Sequence, residues 1–274
     1  MTVRRGLVVG HVAMLALLAG CSAILGIHDP EIVGAAEAGI TDDATTPPSS
    51  TDAGIDSAVA PGAMVTVPRP DAGGTFQIDA TEVTQAAYGD FLARGTSSVL
   101  QLPACAGNTS FRPAGGFAPS LVPEQPVVGV DWCDAYAYCQ WVGKRLCGGA
   151  NGVPGAYADH TVVTKNEWLA ACTKDDAQPY PYGALERPAA CNTSASDAGA
   201  TLDVGTKRFC EGGFTGVFDL VGNVAEWVDL CDDTGCATMG GSFSYPPDAI
   251  VDCRTSSSTP RLTAFADIGF RCCR

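Results

Sequence analysis

Histidine is almost missing from this chain, with three in 274 residues. His11 falls in an apolar leader, His28 in an acidic stretch, and only His160 in the cysteine-rich remainder. A His-built zinc site cannot be assembled from one imidazole. A Ser-His-Asp or Cys-His arrangement would have to use His160, which stands in the Gly-rich stretch 148–163 without a neighbouring signature. Paired C-x-x-C spacings are absent as well, since Cys231 and Cys236 are five apart and Cys272 and Cys273 are adjacent, so disulfides are expected in place of cysteine-bound zinc. Gly143-Lys144-Arg145 lacks the upstream Gly and following Ser/Thr of a phosphate-binding loop and reads as a helix end. Basic residues are scarce: 16 Lys plus Arg face 30 Asp plus Glu, a net charge of −14. That excludes a nucleic-acid binder relying on counterion release. No local pattern selects two carboxylates for glycoside hydrolysis.

What is present is a hydrophobic fraction of 46% and thirteen cysteines, enough for one large core and a composition suited to an oxidising compartment. Arg4 and Arg5 precede an apolar run from Gly6 to Gly20, shorter than the ~20 residues a spanning helix needs. Residues 1–20 therefore read as a signal peptide. Leu18-Ala19-Gly20-Cys21 resembles the bacterial lipobox, whose Cys becomes the diacylated N-terminus of a mature lipoprotein. Ser22 in place of Asp implies, by resemblance to bacterial lipoprotein sorting, the outer membrane, at its periplasmic face or the cell surface. Lipid on Cys21 leaves twelve cysteines, an even number that can pair completely. From His28 to Gly62 seven acids and no Lys or Arg accompany few large apolar residues. Residues 21–62 are thus expected to be a disordered acidic tether reaching roughly 30–40 Å.

Residues 63–274 hold all four Trp and all seven Tyr without a Pro/Ser-rich break, so they read as one domain. Asp131 caps a predicted helix with Asp134 at N3, and Trp132, Ala135, Cys139, Val142 and Leu146 recur at helical spacing. Thr164-Lys165-Asn166-Glu167 fits a capping box, with Trp168 and Cys172 on one face of the helix that follows. A short helix starts near Thr84, with Tyr88, Phe91 and Leu92 apolar. Elsewhere Gly and Pro are frequent and apolar runs are brief, which describes a loop-rich α+β domain held by disulfides.

Several segments taken in order are similar to one family. They are Phe76 to Thr84, Pro126-Val127-Val128-Gly129-Val130-Asp131-Trp132, Gly143-Lys144-Arg145-Leu146, Asn166-Glu167-Trp168 and Tyr182-Gly183. Asp219-Leu220-Val221-Gly222-Asn223-Val224-Ala225-Glu226-Trp227, Gly240-Gly241-Ser242-Phe243 and Gly269-Phe270-Arg271-Cys272 complete the series. Across about 64–274 the chain resembles the formylglycine-generating enzyme, or sulfatase-modifying factor, family. The resemblance implies a compact C-type-lectin-like fold with little regular secondary structure and with bound calcium.

In catalytic members of that family two cysteines shortly after Gly-Gly-Ser bind copper(I), which with dioxygen converts a sulfatase cysteine to formylglycine. Here Tyr245 and about Ile250 stand at those places, and Cys253 matches a later structural cysteine. Soft thiolates are what select copper(I), so copper is not expected. Asp267 replaces the usual Asn two residues before the Gly of Gly-Phe-Arg. The family's disulfides imply Cys139 with Cys272 and Cys172 with Cys253. Cys191–Cys210 and Cys231–Cys236 are expected from nearness in sequence. Cys105, Cys133, Cys147 and Cys273 are left unassigned, with a partner's thiol open to Cys273. The family's calcium site implies Asp219, the carbonyls of Gly222 and Val224, and Glu226 as ligands, a hard-oxygen set, and Asn192 for a second site.

The expected function is a non-catalytic, lipid-anchored recognition domain for a protein, peptide or glycan. The alternative is an oxidoreductase or hydrolase using Ser242, Tyr245 and Asp267 in the family cleft. Formylglycine synthesis through another cysteine pair ranks third.

Overall fold

The C-terminal segment of the chain serves both β-sheets of the fold. The computed structural model describes residue 60 and residues 62–274, apart from 71, 72, 98, 100, 197, 247 and 248. The expected signal peptide, Cys21 and nearly all of the expected tether lie outside the described residues. The first sheet contains β1 (Met64–Pro68), β2 (Thr75–Asp79), β3 (Arg145–Leu146) and β9 (Cys272–Cys273), in the order β1-β2-β9-β3 with all neighbours antiparallel. The second contains β4 (Gly155–Ala156), β5 (Ala225–Cys231), β6 (Cys236–Met239) and β7 (Ser256–Thr259) in that order, while β8 (Ile268–Phe270) pairs parallel to β5. Arg271 is the link between β8 and β9. The chain therefore crosses from one sheet to the other at a residue whose side chain is wholly buried.

Three α-helices fill the space around the sheets. Helix α1 (Gln85–Arg94) starts where the Thr84 hydroxyl accepts from Ala87 N–H at 3.2 Å, as expected. It buries Tyr88 and Phe91, and Tyr88 stacks on Tyr138 at a centroid distance of 5.6 Å. Helix α2 (Trp132–Trp141) has the expected cap: Asp131 accepts from Asp134 N–H while Asp134 accepts from Asp131 N–H, satisfying two orphan donors of the first turn. Its apolar stripe is shorter than the spacing predicts. The helix ends at Val142, and Gly143 at φ +70° turns the chain so that Leu146 lies in β3. The indole of Trp132 donates to Val228 C=O and that of Trp227 to Val130 C=O, tying α2 and β5 from both sides.

The capping box at Thr164 does not form. Thr164 lies in a 3₁₀ turn, and the cap of α3 (Glu167–Thr173) is Asn166, whose Oδ1 accepts from Leu169 N–H at 3.1 Å. A Thr-x-x-Glu pattern thus lost to an Asn placed two residues later, itself a stronger cap than Thr.

Six disulfides take up all twelve cysteines of the described residues. Cys139–Cys272 and Cys172–Cys253 match the family's pairing, and Cys191–Cys210 and Cys231–Cys236 match nearness in sequence. The remaining four pair as Cys105–Cys133 and Cys147–Cys273, so Cys273 is closed within the chain and does not await a partner's thiol. In the chain-entropy picture the 5-residue separation of Cys231–Cys236 contributes about 2 kcal/mol. The 133-residue separation of Cys139–Cys272 contributes about 5 kcal/mol.

Candidate functional site

The Gly-Gly-Ser segment leaves the end of β6 along a path only glycine takes readily. Gly240 and Gly241 have φ of +83° and +63°, and a Cβ on Gly240 would stand 2.4 Å from Leu220 O. The turn delivers Ser242 to the floor of a cavity of about 240 Å³, which Tyr245, Asp267, Ala225, Phe265 and Ile268 line together with hydroxyls of β6 and β7. All three cleft candidates named from sequence, Ser242, Tyr245 and Asp267, are therefore brought together. Ser242 is completely buried, and its hydroxyl donates to Asp267 Oδ2 at 2.7 Å. Ser244 donates to the same oxygen at 2.6 Å. Asp267 is itself fixed by Ala225 N–H donating to its C=O at 3.0 Å, which begins the β5–β8 pairing.

The two positions that correspond to copper thiolates separate. Tyr245 lines the cleft, but Ile250 is 66% exposed and is not among the lining residues. No thiolate is available in the described residues, because every cysteine there is in a disulfide. The residues present do not fit copper(I), whose selection requires soft sulfur.

One residue along β5 from Ala225, Glu226 meets the Arg271 link. The guanidinium grips the carboxylate with both prongs, Nε to Oε2 at 2.8 Å and Nη2 to Oε1 at 2.7 Å. It spends its other donors on Phe218 C=O and Asp79 C=O. The Trp168 indole adds a third bond to Glu226, at 2.8 Å. Burial works against the charge of Arg271, but Glu226 and the nearby carboxylates prevail and hold its pKa above the ordinary value. The Glu of Gly-Asn-Val-Ala-Glu-Trp and the Arg of Gly-Phe-Arg are thus partners in one buried ion pair, which the sequence reading missed. A charged residue beside an aromatic in each of two largely apolar segments, Glu226 before Trp227 and Arg271 after Phe270, was the available signal.

This pairing is at odds with the calcium set. Both oxygens of Glu226 already accept hydrogen bonds, and a cation there would sit beside a guanidinium. Asp219 Oδ2 accepts from Gly205 N–H at 2.6 Å. Asn192 is likewise engaged, donating to Ala200 C=O and Asn223 Oδ1 and accepting from Ser196. Among the described residues no group of three or more His, Cys, Asp or Glu is placed to hold a metal. Calcium held by the expected ligands Asp219, Gly222, Val224 and Glu226 would have to displace the bonds that Gly205 N–H, Trp168 and Arg271 make to the two carboxylates. Burial instead raises the pKa of Asp219 to about 6 and pushes Glu82 well above the carboxylate range, the latter helped by Asp219 and Glu226. Glu82 takes one bond from Asn223 Nδ2 at 2.9 Å, and its Oε2 has no partner among the described residues. His160 remains peripheral, stacked on Tyr157 with Nδ1 against Tyr157 C=O at 2.7 Å.

A disulfide-held α+β scaffold in which the Arg between the last two strands pairs with a buried Glu of β5 beside a Gly-Gly-Ser cleft belongs to the formylglycine-generating class of domains. Residues 47–274 match the Sulfatase-modifying factor enzyme 1-like domain, and the chain belongs to this family. It is 29% identical over 185 residues to the formylglycine-generating enzyme of Mycobacterium tuberculosis, covering 54% of this chain and 56% of that one. It is 31% identical over 173 residues to the inactive C-alpha-formylglycine-generating enzyme 2 of Bos taurus, covering 54% and 50%. The chain thus spans about half the length of the curated relatives it matches. The fold is similar to that of PvdO from Pseudomonas aeruginosa, with a TM-score of 0.51 at 22% identity over 78% of this chain and 92% of that one.

Proposed function

We propose that this protein is an exported, non-catalytic member of the sulfatase-modifying factor family, anchored by lipid on Cys21 to the outer membrane and acting in recognition through the Ser242–Tyr245–Asp267 cleft. The observation that carries this reading is the cleft's composition. It holds hydroxyls, one carboxylate and aromatic or aliphatic carbon, and every cysteine of the described residues is locked in a disulfide. Likeness to an inactive relative supports the same conclusion. Such a lining recognises a ligand through hydrogen bonds and apolar contact, the usual makeup of a binding pocket.

A hydrolase or oxidoreductase is the second reading, favoured by the convergence of Ser242, Tyr245 and Asp267 in one cavity. Against it, Asp267 Oδ2 already accepts from two hydroxyls, and His160, the one histidine among the described residues, does not line the cleft. Peptide and glycan array binding of the mature exported chain tests the proposal, paired with mass spectrometry of recovered ligands. Retention of unaltered ligand that is lost on Asp267→Asn supports it, and a chemically altered ligand overturns it. A diacyl mass on Cys21 tests the anchor.

A further inference from the structure

Strand β7 is the edge of the second sheet, paired only with β6. Hydrogen-bonded pairs alternate along an antiparallel ladder. Gly240 N–H donates to Thr255 C=O at 2.8 Å, just before the strand begins. Thr255, Ser257 and Thr259 therefore bond inward to β6, while Ser256 and Ser258 turn their N–H and C=O groups outward. No hydrogen bond among the described residues takes up those groups. Protected edges carry charges, prolines or bulges, whereas β7 reads Ser-Ser-Ser-Thr and is flat against β6, with Pro260 only after its end. The edge lies beside the cleft, since Ser256, Ser257 and Thr259 line it.

We infer that β7 is a docking edge for an extended peptide, which adds as a strand and inserts one basic side chain into the cleft. The inference rests on the recognition reading above and names its ligand class. Charge complementarity selects the inserted residue. Among the described residues Asp267 is the one charged group lining the cavity, its Oδ1 accepts from none of them, and the chain carries −14 overall. A cavity of about 240 Å³ admits a lysine or arginine side chain. Phe265, 46% exposed at the rim, supplies an apolar wall for the aliphatic stem. Main-chain bonds to Ser256 and Ser258 give affinity that tolerates many sequences, and the cavity gives selectivity at one position.

The test uses the full mature chain and an acetylated, amidated heptapeptide of alternating Thr and Val with a central Lys, measured by calorimetry. Two N-methylated versions block the amides of one alternate set or the other. One set is expected to abolish binding and the other to leave it unchanged, because only one faces β7. Ser258→Pro removes an outward N–H without touching the β6 ladder and is expected to weaken binding about tenfold at unchanged melting temperature. Asp267→Asn is expected to erase the preference for Lys over norleucine. Absence of binding at 1 mM peptide, equal tolerance of both methylation sets, persistence of the Lys preference in Asp267→Asn, or a dimer that forms through β7 in place of peptide capture would each overturn the inference. Recovered peptide with an altered mass but the same register dependence would remove the non-catalytic reading and leave strand addition standing. Failure to bind would do the reverse.

Discussion

Replacing Arg271 with Met should be among the most damaging single changes in the domain, and the structure sets its size. Arg271 and Glu226 are 0% and 1% exposed and share two hydrogen bonds. Removing one member of a buried pair costs about 3–5 kcal/mol, because the other charge stays in a poor solvent. Arg271→Met also strips Phe218 C=O and Asp79 C=O of donors, each worth roughly 1 kcal/mol. Glu226 would then face Asp219 and Glu82 with no cation between them. Guanidinium unfolding with disulfides intact, at a slope of roughly 4 kcal/mol/M, should show the midpoint falling by about 1.5 M. The loss should shrink at pH 5, where the stranded carboxylate can take a proton, and the double variant Glu226→Leu/Arg271→Met should lose less than Arg271→Met alone. A change under about 1 kcal/mol at pH 8, or strict additivity in the double variant, would refute the assignment of this pair as the clamp between the sheets.

Burial, and then Asp131, raises the pKa of Asp134 from 3.8 to about 7. The folded chain therefore holds a proton that the unfolded chain has released above about pH 4. Stability should fall as pH rises from about 4 to about 7, and Asp134→Asn should flatten that slope in pH-dependent unfolding. Gly241→Ala, at φ +63° with its Cβ 2.6 Å from Val251 Cγ1, should cost more than about 1 kcal/mol and close the cleft; unchanged stability and ligand binding would contradict the turn geometry. Free-thiol mass spectrometry of residues 63–274 should find none, and reduction should unfold the domain. Two or more free thiols would reopen sulfur chemistry in the cleft.

Much of the fold was legible because its signals are local. Thr84 and the Asp131/Asp134 box start helices in the chain where their side chains can reach their own backbone, and both caps form. The end of α2 was not legible. The apolar period continues through Val142 and Leu146, and only the left-handed Gly143 shows that the chain has turned. At α3, two cap patterns overlapped, and Asn166 took the role that Thr164 could have filled. The cleft was legible as three residues, Ser242, Tyr245 and Asp267, because the resemblance places the family cleft just after Gly-Gly-Ser and just before Gly-Phe-Arg. The Arg271–Glu226 pair was not, since 45 residues separate its members. Nothing in a single sequence distinguishes a carboxylate that binds a cation from one that binds a guanidinium. The Cys105–Cys133 and Cys147–Cys273 bridges were hidden for the same reason: their closeness is a product of the sheets and loops, not of spacing.

The absence of a sulfur-built oxidase centre from this formylglycine-generating scaffold is what the disulfides of the described residues imply. Its most direct test incubates the mature protein with one equivalent of copper(I), dioxygen and a cysteine-containing sulfatase peptide, and scores aldehyde by mass spectrometry. The expected level of aldehyde equals that without protein. Stoichiometric, tight copper(I) uptake accompanied by multiple turnovers to formylglycine would contradict it.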